Sequence, residues 1–255
     1  MKLSRRHRPG LKAVTTSLWN EFDREDFRVD GRSCIVVQPR VALASRPWIW
    51  RMEFFGALPA VDLALLERGF YLAYMDVQDM YGAPVAMGHM DAFYSCLTGS
   101  YRLSEKAVLE GFSRGGLFAL NWAARRAESV ACLYLDAPVC DFRSWPGGRG
   151  RGPGSPTDWQ RLKEAYGLSE QQALESAPSP IDNLGALVSE RLPIVAVYGT
   201  ADEALPPEEN VLVLEKRYQE LGGEIMVIAK EHVGHHPHSL ADPTAIVNFI
   251  LSKAV

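Results

Sequence analysis

The chain has 255 residues, 47% of them hydrophobic, with a net charge of -4. That is long enough for one α/β domain with a large core, and the charge balance excludes the usual signatures of nucleic-acid binding or of an anionic membrane surface. The basic opening MKLSRRHRPG lacks the apolar segment of a secretion signal and no run approaches 18 apolar residues, which together predict a cytoplasmic protein.

In chain order, residues 27–29 and 34–37 flank Asp30-Gly31, a hairpin signal. Residues 61–68 read as a helix that Gly69 stops, 71–75 as a strand, and 87–97 as a helix. The apolar run 107–110 is a strand, the stretch LFALNWAARR after Gly116 a helix, and 131–135 the next strand. Strands at 193–198 and 225–229 and a closing helix at 245–251 complete the pattern. Strands alternating with helices predict a mostly parallel sheet covered on both faces. Four dispersed cysteines (Cys34, Cys96, Cys132, Cys140) without C-x-x-C spacing exclude a metal knuckle or a disulfide scaffold. Cys34 and Cys132 lie inside apolar runs and read as small core residues.

Residues 141–190 break the alternation. They open with DFRSWPGGRGRGPGSP and then predict helices at 158–166 and 169–176. The segment reads either as a solvated surface loop or as a lid. In the lid reading Trp145 and Trp159 stack on a sugar ring or apolar group, and Arg143, Arg149 and Arg151 meet a carboxylate.

The most informative stretch is Gly111-Phe112-Ser113-Arg114-Gly115, a G-x-S-x-G placed between a strand and a helix. A serine on such a turn needs neighbours without Cβ atoms, and the helix N-terminus brings backbone N–H groups beside its hydroxyl. Two later segments complete a constellation. Asp202 follows the strand at 193–198 within Gly199-Thr200-Ala201-Asp202-Glu203-Ala204-Leu205-Pro206. The strand at 225–229 precedes Val233-Gly234-His235-His236-Pro237-His238.

Serine, then aspartate, then histidine, each after a strand, is a triad order in which the chain resembles the α/β-hydrolase superfamily from about residue 30 onward. The likeness is to compact bacterial esterases related to carbohydrate-ester and prolyl-oligopeptidase-type enzymes. It implies a single domain over residues 1–255, with 141–190 as a cap inserted in it.

The resemblance implies that Ser113 is the nucleophile, that His235 takes its proton and that Asp202 orients the imidazole. His236 competes with His235: spacing back from Asp242-Pro243 favours His236, whereas matching Pro237-His238 favours His235. Glu203 and Asp136 compete with Asp202. With His232 and His238 these histidines could instead ligate a metal, although no carboxylate or cysteine stands beside them at ligand spacing. The oxyanion and substrate-binding set is Arg114, Trp50, Arg51 and Trp145. One oxyanion donor would be the Arg114 backbone. The other would come from the loop 46–56, where the family's His-Gly-Gly is absent and the Trp50 N–H is the candidate, although the aromatics there could simply pack the loop. The Arg114 side chain could reach substrate, or pair with Glu110 or Asp136. Asp76 and Asp79 could bind sugar hydroxyls or fix their own loop.

The expected activity is that of a cofactor-independent serine esterase acting on a small-molecule or oligosaccharide ester, an acetyl or methyl ester on a sugar first. A serine peptidase and a non-catalytic ligand-binding or interaction protein of the same fold are the alternatives.

Overall fold

The computed structural model describes residues 14–175 and 179–254; the basic N-terminal decapeptide and residue 176 of the second insertion helix lie outside them. Strands β1 (Thr15–Trp19), β2 (Phe22–Val29) and β3 (Arg32–Val37) form an antiparallel meander. Asp30 at φ 49° and Gly31 at φ 77° make the tight turn between β2 and β3, as the Asp-Gly pair predicts.

Strand β4 (Trp48–Arg51) comes next, followed by helix α1 (Ala60–Leu66), β5 (Tyr71–Met75), α2 (Pro84–Gly99), β6 (Ala107–Phe112), α3 (Gly115–Arg125) and β7 (Val130–Asp136). Three short helices then lie between strands, α4 (Pro156–Tyr166), α5 (Glu170–Glu175) and α6 (Gly185–Ser189), before β8 (Ile194–Gly199), α7 (Val211–Glu220), β9 (Ile225–Lys230) and α8 (Thr244–Ala254). The nine strands form one sheet in the order β1-β2-β3-β5-β4-β6-β7-β8-β9, parallel from β5 through β9.

Two strands escape the sequence pattern. β1 is an edge strand whose side chains are largely exposed, so it shows no apolar alternation. β4 has four residues, all buried, and reads in the sequence as an aromatic loop. A fully buried run that short carries no periodicity to identify it.

Alternation along the inner strands divides the core in two. Trp48, Trp50, Leu109, Leu133 and Ala196 face α2, α3 and α7, whereas Ile49, Val108, Cys132 and Val195 face α1 and α8. Period-2 side chains on strands buried from both sides give this split. Among the described residues no helix is long and apolar enough to cross a membrane.

The last residue of β4 anchors the edge at which the parallel strands end. The Arg51 guanidinium is buried against Asp62 of α1 and Glu110 of β6, and lies 4.4 Å from the centre of the Phe112 ring. It also donates to the Glu53, Phe54 and Ala57 carbonyls, which shapes the loop after β4. Burial pushes the Glu110 carboxyl well above the usual range, although Arg51 pulls the other way. One cation therefore faces two buried acids.

Replacing Arg51 with Met would leave that acid pair buried without its cation, a change worth ~3–5 kcal/mol of destabilisation. Urea denaturation at neutral pH measures it, and a loss below ~1 kcal/mol would show that the pair does not depend on Arg51.

Candidate active site

Parallel strands deliver their carboxyl ends to one edge, where loops from distant parts of the chain meet. Ser113 follows β6 with φ at +48°, in the left-handed region that non-glycine residues seldom adopt. Its N–H donates to the Asp136 carbonyl at 2.9 Å, and its own carbonyl accepts from Val139 at 2.9 Å. A Cβ on Gly111 would stand 2.9 Å from the Gly115 carbonyl oxygen, and one on Gly116 would stand 2.7 Å from Pro138 Cβ. Close backbone approach therefore demands Gly111 and Gly116. At Gly115 the nearest atom would be 3.7 Å away, so the last glycine of the motif is not the one under pressure.

Ser113 Oγ lies 3.0 Å from His235 Nε2, and His235 Nδ1 lies 2.7 Å from Asp202 Oδ2. An ionised carboxylate only accepts, so Nδ1 carries the proton and Nε2 is left to accept from the serine hydroxyl. The other oxygen, Asp202 Oδ1, accepts from the Ala204 and Leu205 backbone at 3.0 and 2.8 Å, which holds the carboxylate in place. The structure thus brings Ser113, His235 and Asp202 together from three strand ends. His236 is exposed on the same loop, and Glu203 points to solvent beside Asp202.

Asp136 has a different partner. His238 Nδ1 lies 2.9 Å from Asp136 Oδ1, Ser239 N donates to Asp136 Oδ2 at 2.6 Å, and Lys230 Nζ stands 3.8 Å from the same carboxylate. This second aspartate–histidine pair is not assigned from the sequence, since its members lie 102 positions apart with no motif to link them. Its only signal is a carboxylate at one strand end and a histidine cluster after another. One ligand-capable atom from each of His235, His236 and His238 lies within 4.8 Å of the others. Burial and the neighbouring His238 and His235 hold His236 below the usual imidazole range.

Around the serine, several sequence expectations are corrected. Trp50 lies inside the ladder between β5 and β6, its indole in the core against Phe93 and Trp122, so it does not line the site. Arg51 is the buried anchor described above and has no access to a ligand. The β4 exit approaches Gly115, two residues after the nucleophile: a Cβ there would stand 3.7 Å from Met52 Cβ and 3.8 Å from the Glu53 backbone nitrogen. The guanidinium of Arg114 pairs with Glu53 at 2.7 Å and Asp79 at 3.0 Å, not with Glu110 or Asp136, and packs between the Phe54 and Tyr81 rings. Trp145 is half-buried beside Tyr81, the ring centres 6.5 Å apart, and Tyr81 donates to Asp158. It therefore stands in the second layer behind Arg114.

The arginines assigned to a lid are already engaged. Arg143 pairs with Asp141 and Asp182, Arg149 with Glu170, and Arg151 approaches Glu208. Trp159 is buried against Phe142, with its N–H on Glu170. Asp76 accepts from the Gln78 backbone and fixes its own loop.

No family model matches the chain, and no curated protein matches it by sequence. Solved structures do. The chain is similar to Porphyromonas gingivalis dipeptidyl peptidase 4 (12% identity, TM-score 0.68, 95% of this chain and 36% of that one). It is similar to Pyrococcus horikoshii acylaminoacyl peptidase (12%, 0.63, 89% and 38%). It also matches a candidate lipase from Acinetobacter baumannii (15%, 0.58, 94% and 91%). The chain spans little more than a third of the two peptidases and nearly all of the candidate lipase. At such identities the likeness carries the fold.

Burial pushes Glu53 up to about 7 from its ordinary 4.5, although Arg114 pulls it down. Between those two values the folded chain holds a proton that the unfolded chain has released, so stability falls as pH rises through that window. Glu53→Gln removes this titration. The stability of the native protein relative to the variant should therefore decline from pH 4.5 to 7, by up to ~3 kcal/mol at ~1.4 kcal/mol per pKa unit. Chemical denaturation across that range measures the difference, and a constant gap would rule out a titrating Glu53.

Proposed function

We propose that this chain, which has the α/β-hydrolase fold, is a serine hydrolase that cleaves a carboxylic ester through an acyl-enzyme. The observation that carries this reading is the unbroken path from Ser113 Oγ through His235 to Asp202, at 3.0 and 2.7 Å. Ser113 attacks the ester carbonyl carbon as His235 Nε2 takes its proton, and the buried Asp202 stabilises the resulting imidazolium without taking the proton itself. Collapse of the tetrahedral intermediate breaks the bond to the leaving oxygen, and His235 returns the proton to the departing alcohol. Water, activated by the same imidazole, then attacks the acyl-enzyme and releases the acid and free Ser113.

The negative oxygen of each intermediate needs N–H donors aimed at it. Arg114, the residue after the nucleophile, supplies one from its backbone, and we assign the other to the Glu53–Phe54 turn. The Glu53–Arg114 ion pair and the Phe54 ring against the guanidinium tie these two donor segments to each other. The Arg114 side chain then acts through geometry, as a positioning group.

A short acyl or methyl ester on a sugar is the first substrate class to test. Its support lies in the polar pair of Arg114, the residue after the serine, and the exposed Asp79, since Arg143 and Arg149 of the insertion are held by carboxylates. The likeness to two peptidases favours a second reading, hydrolysis of a peptide bond by the same three residues.

A fluorophosphonate probe should label the native protein at Ser113 and leave Ser113→Ala and His235→Ala unlabelled. Hydrolysis of p-nitrophenyl acetate should fall on the order of 10⁵-fold or more in Ser113→Ala, and about 10⁴-fold in Asp202→Asn. A folded protein that takes no label would instead be a ligand-binding member of the fold. Rates on acetylated sugars, sugar methyl esters and peptide amides divide the ester reading from the peptide one.

A further inference from the structure

Three histidine rings crowd together at the mouth of the site. Their centres are 4.8, 4.9 and 4.8 Å apart, and the planes meet at 70°, 83° and 81°, so the rings stand edge to face. Two of the three are oriented from behind by buried carboxylates, His235 by Asp202 at 2.7 Å and His238 by Asp136 at 2.9 Å. Each donates its Nδ1–H to that carboxylate, which leaves the lone pair on Nε2. A carboxylate behind an imidazole fixes the tautomer and raises the basicity of the free nitrogen, as in histidines that ligate metal ions. His236 is exposed on the loop between them. Lys230 opposes a cation here, since its ammonium stands 3.8 Å from Asp136, but two carboxylates outweigh that one charge.

We propose that His235, His236 and His238 form a binding site for a divalent late transition-metal ion, Zn²⁺ in the first instance, and that occupancy switches the hydrolase off. The regulatory half rests on the function proposed above; the binding half does not. Three imidazoles with a fourth position open are a donor set for Zn²⁺, Ni²⁺ or Cu²⁺ and not for Mg²⁺ or Ca²⁺, which take oxygen ligands. Zinc–nitrogen bonds of ~2.0–2.1 Å draw tetrahedral ligands closer than the separations of up to 4.8 Å found here. His236, exposed on its loop, can move inward to close the set.

The inhibitory consequence follows from one lone pair. The ion would occupy His235 Nε2, the atom that accepts the Ser113 proton 3.0 Å away. An imidazole bound there cannot act as the base, so metal binding and acylation exclude each other. No bond is broken, and removal of the ion restores the starting state.

Chelator-treated protein titrated calorimetrically with ZnCl₂ alone should bind one ion per chain. His236→Ala should weaken that binding at least about tenfold, the size of effect expected when a metal site loses a supporting group. Zn²⁺ should inhibit p-nitrophenyl acetate hydrolysis by the native enzyme, EDTA should reverse the inhibition, and His236→Ala should keep its basal rate while tolerating about tenfold more zinc. Absence of binding, binding unchanged in His236→Ala, or binding without inhibition of an active enzyme would overturn the proposal. Zinc binding that depends on His236, in a protein that neither hydrolyses esters nor takes the serine probe, would keep the metal site and remove the hydrolase reading.

Discussion

A carboxylate taken out of water costs several kcal/mol unless a partner stands against it, and among the described residues five such groups are buried. Asp62 and Glu110 share Arg51, Glu53 meets Arg114, Asp136 meets His238, and Asp202 meets His235. All but Asp62 lie on, or just beyond, a strand of the central sheet. Satisfying them dictates which loops must come together at its carboxyl edge. The fold and the site therefore answer the same electrostatic demand.

The partnerships fall into two kinds. Arg51 and Arg114 carry permanent charge, and they fix backbone: Arg51 gathers three carbonyls of the β4 exit, and Arg114 bridges that exit to the turn after the nucleophile. The histidine pairs are chemically versatile. Each uses one nitrogen to satisfy a buried acid and keeps a lone pair on the other. One such pair adjoins Ser113 and the other stands beside the first, their ring centres 4.9 Å apart. A site that activates a hydroxyl and a site that holds a metal ion are built from the same kind of unit, and here they share a ring.

The segment between β7 and β8 shows how charge pairing can mislead a reading based on composition. Arg143, Arg149 and Arg151 suggest an anion-binding surface, yet each has an acidic neighbour from within the segment or from the turn before α7. Trp159 likewise serves packing. Around Arg114, the residue after the nucleophile, stand instead Phe54 and Asp79 from the loops after β4 and β5, and these are the neighbours to test for specificity.

Local sequence was sufficient for the elements with a strong period and for residues whose role is set by immediate neighbours. The parallel alternation, the Asp30-Gly31 turn and the positions of Ser113 and Asp202 at strand ends were all legible, because propensity, turn chemistry and chain order act over a few residues. Sequence left His235 and His236 in competition, missed β4, and mistook Trp50 and Arg51 for site residues. Those outcomes depend on which side of a strand faces the core and which acid waits across the sheet. A four-residue strand has no period to reveal its burial, and a pairing such as Asp136 with His238 exists only once two strand ends are brought together. Tertiary structure decided them, since the cost of burying a charge is set by what surrounds it in space.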